Sequence, residues 1–273
     1  MLQTEKLLSY YRSLPWFRGK LRIGKLVFKR WVDLDNEIFF KAHYNVKYKI
    51  PNTKENVGLE LLINGIYEKE IIDFLLKNIK SNCVFFDVGA NIGAIGLPIL
   101  KQRKSIQYIA FEASPWVADY LKYNLQQNDI KNYEVINRIV HHNNNEKLRF
   151  YQSELYGKSS LAPTYTHKFI EINSITLDNY CIERGIQSID WLKVDVQGFE
   201  LDVFKGAQRM LGGKKVKNIL FEYEPWAEDQ AKIAIGEAQR YISGFGYQLF
   251  DIHGKNWSNS NNTDTMIWAK AFV

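Results

Sequence analysis

Four carboxylates each stand at the end of a short apolar run. Asp87 lies within Val84–Val88, Glu112 follows Ile106–Phe111, Asp195 follows Ile189–Val194, and Glu222 follows Val216–Phe221. Acids at strand ends face the crevice where open α/β sheets bind ligands. The first opens the turn Asp87-Val88-Gly89-Ala90-Asn91-Ile92-Gly93, and Glu112 comes 25 residues after it. An acid at the tip of a second strand is placed to bind a ribose diol. Two charge-assisted hydrogen bonds there contribute about 1.5–3 kcal/mol each. A dinucleotide fingerprint begun at Gly89 needs glycine at positions occupied by Asn91 and Ala94. Without that close backbone approach, pyrophosphate is disfavoured, and S-adenosylmethionine is the expected adenosine cofactor. Its amino group calls for an acid such as Asp87. Its carboxylate calls for backbone N–H groups near a helix start, here Gly89 to Gly93.

The second cluster is Leu192-Lys193-Val194-Asp195-Val196-Gln197-Gly198-Phe199-Glu200, with Glu222 and Glu224 beyond it. Carboxylates at neighbouring strand tips can take a proton, orient a hydroxyl or hold a divalent cation. Asp195 is the first choice for a base or acceptor-orienting group, and Glu222 the second. Mg²⁺ held by the pair is an alternative that would acidify an acceptor hydroxyl, but no metal ligand set is assigned. Glu200 reads equally well as an acid stabilising a helix start. His141-His142 reads as solvent-exposed within an Asn-rich loop, His167 and His253 are isolated, and no His/Cys spacing suggests zinc.

These groups need a scaffold that alternates short buried strands with helices. Strands are expected at 84–88, 106–111, 133–137, 189–194, 216–221, 247–252 and 265–271. Helices are expected at 65–80, 93–101, from Ser114-Pro115 to about Gln127, at 176–184, 199–211 and 225–244. Strands at 148–151 and 169–175 belong to an insertion. The fold class is α/β: a Rossmann-like, mostly parallel seven-stranded sheet with helices on both faces. A final hairpin makes the C-terminal edge strand antiparallel.

The net charge of +6 belongs to one end of the chain. Residues 1–50 hold eleven Lys/Arg against four acids, a balance of +7, leaving −1 for the rest. Trp16, Phe17, Leu21, Ile23, Leu26, Val27, Phe28 and Trp31 interleave with these bases. A basic, amphipathic N-terminal extension fits an anionic membrane surface or a partner protein. Residues 51–57 read as a polar linker, so the division is 1–57 extension and 58–273 cofactor-binding domain. Cys83 and Cys181 sit in apolar contexts and read as buried hydrophobes. The start lacks a signal-peptide pattern, and no apolar run approaches 18 residues. The expected location is cytoplasmic, with peripheral attachment at a membrane surface as an option. Nucleic acid is a disfavoured partner, since neither a flipped-base amine motif nor a catalytic cysteine is found.

In order along residues 60–225, the chain carries Gly65-Ile66-Tyr67-Glu68, Phe86-Asp87-Val88-Gly89-Ala90-Asn91-Ile92-Gly93, Ala110-Phe111-Glu112, Ser174-Ile175-Thr176-Leu177-Asp178, Leu192 to Glu200, and Gly206-Ala207. In these blocks it resembles the FkbM family of S-adenosylmethionine-dependent methyltransferases. The resemblance implies a class I methyltransferase fold and methyl transfer, usually to an oxygen of a sugar or natural product. The expected acceptor is therefore a small molecule or glycan. Two positions depart from the pattern: Gln197 stands where the family usually has Glu, and Ser114 follows Ala113 where a Pro-containing pair is usual. Rival expectations are N- or carboxyl-methylation, and a cofactor-binding module that has lost catalysis.

Overall fold

A computed structural model describes residues 2–258 and 266–272. The chain opens with α1 (Leu2–Ser13) and α2 (Lys20–Val27), then the hairpin β1 (Ile38–Lys41) and β2 (Lys47–Ile50). Next come α3 (Asn56–Asn64), α4 (Lys69–Asn78), β3 (Val84–Val88), α5 (Gly96–Gln102), β4 (Gln107–Phe111), α6 (Pro115–Gln127) and β5 (Tyr133–Ile136). A small sheet of β6 (Ile139–Val140), β7 (Lys147–Tyr151) and β8 (Phe169–Ile175) follows, then α7 (Leu177–Arg184). The chain continues through β9 (Ile189–Val194), α8 (Glu200–Lys205), α9 (Gln208–Gly212), β10 (Val216–Glu222), α10 (Pro225–Gln230), α11 (Glu237–Gly244), β11 (Tyr247–Asp251) and β12 (Met266–Ala271).

The main sheet has the order β11-β12-β10-β9-β3-β4-β5. The chain winds outward from β3 to β5, then returns to the other side of β3 with β9 and β10. The switch point is therefore between β3 and β9, where open α/β sheets bind ligand. All neighbouring pairs are parallel except those made by β12. This is the α/β, Rossmann-like fold of class I methyltransferases. One detail differs from expectation: antiparallel β12 lies between β10 and β11, so the antiparallel strand is not at the edge. Thr265, the expected first residue of that strand, lies outside the described residues.

Strand alternation divides the core. Phe85, Tyr108, Trp191 and Leu220 face one side, and Phe86, Ile109, Leu192 and Ile219 the other. Both faces are apolar because both carry helices.

Several expected helices break where a side chain captures backbone. The expected helix at 199–211 ends at Lys205; Gly206, packed on the His141 carbonyl with no room for a Cβ, gives its own carbonyl to the Asp178 amide. Asp178 then caps the next helix by accepting from the Arg209 and Met210 amides. The expected helix at 225–244 splits because the buried Glu228 carboxylate accepts from the Gly236 amide. The helix expected from Gly93 starts at Gly96, and the one expected from Gly65 starts at Lys69. Gly65 instead ends α3, in left-handed conformation.

Residues 51–57, expected to be a linker, are packed. Thr53 Oγ1 donates to the Trp31 carbonyl and accepts from the Leu34 amide. Glu55 caps α3 through the Val57 amide. Leu8, Phe28, Ile38 and Tyr48 join the same core as Phe85 and Leu97. Asn124 and Asn128 of α6 bond the β2 backbone at Lys49 and Lys47. Buried Arg12 donates to the Leu62 and Lys41 carbonyls at 2.5 and 3.2 Å, tying α1 to α3 and β1.

Replacing Arg12 strands those two carbonyls, and an unmatched buried acceptor costs about 1–3 kcal/mol. Arg12→Ala is expected to lower the urea midpoint of a single cooperative transition. An unchanged midpoint would mean that the N-terminal segment folds apart from the sheet.

Candidate active site

The pocket lies at the carboxyl ends of β3, β4, β9 and β10, over the switch point. Gly89, Asn91, Glu112, Lys193, Asp195 and Glu222 all line it. Residues 156–161, between β7 and β8, close one side, and Tyr67 and Glu68 before α4 close another. The Asn91 side chain donates to the Tyr156 carbonyl at 3.2 Å, fastening the insertion to the glycine turn.

Of the expected residues, Asp87 is not in the lining. It is fully buried. One carboxylate oxygen accepts from Tyr108 Oη at 2.7 Å, and the other sits 3.2 Å from Lys193 Nζ. Lys193 also reaches Asp195 at 3.5 Å and the Gly89 carbonyl at 3.3 Å. Burial works to discharge this lysine, but Asp87 and Asp195 outweigh it and hold its pKa above the ordinary value. Asp87 therefore serves the site from behind, by holding a cation.

The turn after β3 also differs from expectation. Its five amides, from Gly89 to Gly93, all have partners inside the chain. Gly89 and Ala90 donate to the Phe111 carbonyl, Asn91 to Glu112, Ile92 to the Asn91 side chain, and Gly93 to the Ala90 carbonyl. They are not waiting for a carboxylate. Gly89 is required for another reason. Its φ is +76°, and a Cβ there would lie 1.9 Å from the Asp195 carbonyl oxygen. The two catalytic-side strands meet here with no space between their backbones. Asn91 takes φ +51°, and Gly93 does not line the pocket.

Glu112 is buried and accepts from the Asn91 amide at 2.8 Å and the Ser114 amide at 2.9 Å. Burial pushes its pKa to about 7, against the pull of those two amides. Each oxygen accepts one of these bonds, which leaves it a further acceptor site, and Glu112 lines the pocket. The Ser114 hydroxyl donates to Gln152 and makes no side-chain cap to α6.

Around Asp195 the carboxyls crowd together. Gln197, at φ +57°, donates from Nε2 to Asp195 Oδ1 at 3.2 Å. A glutamate at this position would bring repulsion where the amide brings a donor. Glu200 accepts from the Val196 and Gly198 amides, so its role is to close the turn. Glu222 has its pKa raised to about 9, first by burial and then by Asp195 and Glu224. That shift favours its protonated form at neutral pH, in which it can donate a hydrogen bond. Sequence reasoning passed over Glu68 as a site residue, although it lay in a quoted block. Its pKa is raised to about 7 by burial and by Asp195. The signal available was a Tyr-Glu pair just before an amphipathic helix; only the folded chain brings that pair to the pocket.

His141 was expected to be exposed but is buried, stacked on His142 with ring centres 4.0 Å apart. His142 Nδ1 lies 2.6 Å from Asp202. None of these three lines the pocket. Trp226 is half exposed and leans on Tyr165, 5.9 Å away.

The sequence matches the Methyltransferase FkbM domain over residues 87–249. The chain belongs to the FkbM methyltransferase family. The matched span holds Glu112, Asp195 and Glu222, and Glu68 lies before it. The chain is 30% identical over 158 residues to 2-O-methyltransferase NoeI of Sinorhizobium fredii (strain NBRC 101917 / NGR234), covering 53% of this chain and 64% of that protein. It is 26% identical over 194 residues to methyltransferase sdnD of Sordaria araneosa, covering 59% of this chain and 74% of that one. It thus spans less than two-thirds of the first relative's length. Among solved structures, precorrin-6y C5,15-methyltransferase from Geobacter metallireducens GS-15 is similar at a TM-score of 0.43 and 14% identity, over 74% of this chain and 87% of that one.

The raised pKa of Glu222 has a consequence for stability. Its carboxyl ionises near pH 4.5 when unfolded and near 9 when folded. The unfolded state therefore gains an ionised group first, and folding is progressively disfavoured as pH rises between those values. The thermal midpoint of Glu222→Gln relative to wild type should climb from pH 5 to pH 9 and level off above. A constant difference across that range would refute the raised pKa.

Proposed function

We propose that this protein is an S-adenosylmethionine-dependent O-methyltransferase acting on a hydroxyl of a sugar, glycan or natural product. One observation carries the reading: a single pocket at the switch point has Glu112 on the β4 side and Asp195 with Glu222 on the β9–β10 side. The residues present fit the cofactor. Glu112 retains acceptor sites for a ribose diol, and Ala113, Ile139 and Val140 add apolar surface for a base. The lining is rich in carboxyls, which suits a cationic ligand. When bound, the sulfonium supplies a methyl group activated for displacement.

The chain's own residues then have two tasks. The pocket holds the acceptor hydroxyl in line with the transferred methyl, an alignment that can contribute about 7–11 kcal/mol. Asp195 would take the proton of the acceptor hydroxyl; a positioned base adds roughly 10²–10⁴-fold. Lys193 and Gln197 hold Asp195 in place. Glu222, carrying its proton, donates to a neighbouring acceptor oxygen. Mg²⁺ between Asp195 and Glu222 would have to compete with Lys193, whose Nζ lies 3.5 Å from Asp195.

Calorimetric titration with S-adenosylmethionine tests the cofactor. Wild type should bind, Glu112→Ala should lose about tenfold or more, and Asp195→Asn should bind nearly normally yet transfer no methyl group to a glycan acceptor found by screening. Absence of binding by folded wild type would end the reading.

We also infer that the basic N-terminal segment, residues 1–57, brings the enzyme to an anionic membrane surface. Trp16, Phe17, Ile23, Leu26 and Val27 are exposed beside Arg18 and Arg22, a pairing that favours anionic interfaces. Among the described residues no helix is long and apolar enough to cross a membrane. The protein should sediment with phosphatidylserine vesicles at low salt and be released by Trp16→Glu/Leu26→Glu. Equal sedimentation of the double variant would count against this surface.

A further inference from the structure

Asp87, the acid expected to meet the cofactor's amino group, is already engaged, and so is Asp195. Asp87 is turned to Tyr108 and Lys193 and does not line the pocket. Asp195 is shared between Lys193 and Gln197. Glu68 is different: it lines the same pocket, and among the described residues no cation lies within ion-pairing distance of it.

Its backbone also calls for an explanation. Glu68 occupies the N-cap position of α4 with φ +43° and ψ +58°, and its side chain makes no capping hydrogen bond. A non-glycine residue in the left-handed region costs of order 1–3 kcal/mol, and such strain collects at ligand sites. An acid that capped the helix would offset the cost locally. This one turns from the helix to the pocket, where Tyr67 is its neighbour.

Resting on the reading of the pocket as an S-adenosylmethionine site, we infer that Glu68 is the receptor for the α-ammonium of the methionine tail. A primary ammonium has three donors and a full charge, and a half-buried carboxylate without a cation is its complement. The groups facing Glu68 are Tyr67, Asp195, Lys193, Glu60 and Glu222. Acids outnumber the one lysine, so the ligand's cation relieves a local excess of negative charge. Burial first, and then the Asp195 charge, raises its pKa to about 7 against the pull of Lys193 and Tyr67. Glu68 precedes the span matched by the family at residues 87–249, so a segment outside that span completes the cofactor site.

The probes are S-adenosylhomocysteine, which carries the amino-acid tail, and 5′-methylthioadenosine, which lacks it. Glu68→Gln in the full chain should weaken S-adenosylhomocysteine by about ten- to a hundredfold and leave 5′-methylthioadenosine unchanged. Equal losses for both probes, or no loss for either, would overturn the assignment. Wild type supplies a second readout that needs no variant. Titrations at pH 7 in two buffers of different ionisation enthalpy should show more proton release with S-adenosylhomocysteine than with 5′-methylthioadenosine, because docking the ammonium ionises Glu68. Equal release by both would also overturn it. Failure of wild type to bind either probe would bring down the cofactor reading itself, and this inference with it.

Discussion

Lys193 is the charge on which the site is built. It is a buried cation in the central strand β9, between Asp87 of β3 and Asp195 at its own strand's tip. A buried charge survives only with partners, and losing one partner typically costs several kcal/mol. The ammonium therefore fixes the relative height of β3 and β9 at the point where the sheet changes direction. Its third contact, to the Gly89 carbonyl, fixes the turn as well. Gly89 in turn sits so close to the Asp195 carbonyl that no side chain fits between them. The glycine turn and the proposed base are parts of one assembly.

Around that assembly the carboxyls sort by environment. Glu112 and Glu200 are buried but fed by backbone amides, so each organises a turn. Glu222 has no such supply, and burial beside other acids drives it toward its neutral form. Asp195 keeps Lys193 within reach and a donor from Gln197. Chemically identical groups thus receive different surroundings, on which the proposed roles of ligand acceptor, donor and base rest. Gln197, a departure from the family pattern, is consistent with this division, since a third acid two residues from Asp195 would compete for the same lysine.

The N-terminal residues are bound into the same body. Arg12, Asn124 and Asn128 bond backbone across α1, α3, β1, β2 and α6. Glu55 is packed against Gly157 of the insertion, where a Cβ would sit 2.8 Å from the carboxylate. Val57, at the start of α3, lines the catalytic pocket. The segment that carries the basic, apolar surface therefore also helps shape the cavity.

The amino-acid sequence alone determined the α/β class, nearly all the strands and the acids at their tips. Those features are local: buried strands are short apolar runs, and a strand tip shows wherever such a run meets an acid and a turn. Glu112, Asp195 and Glu222 were legible for that reason. Tertiary structure decided what each acid faces. Whether Asp87 looks into the pocket or back at Lys193 depends on a lysine 106 positions later in the chain. Whether turn amides are free depends on Phe111 and Glu112 across the sheet. The breaks near Gly206 and Gly236 come with bonds to the distant Asp178 amide and the Glu228 carboxylate. Glu68 enters the site only because α4 packs beside the β3–β9 crevice. Periodicity records which residues are buried, whereas hydrogen bonds and charges between distant segments fix orientation and protonation.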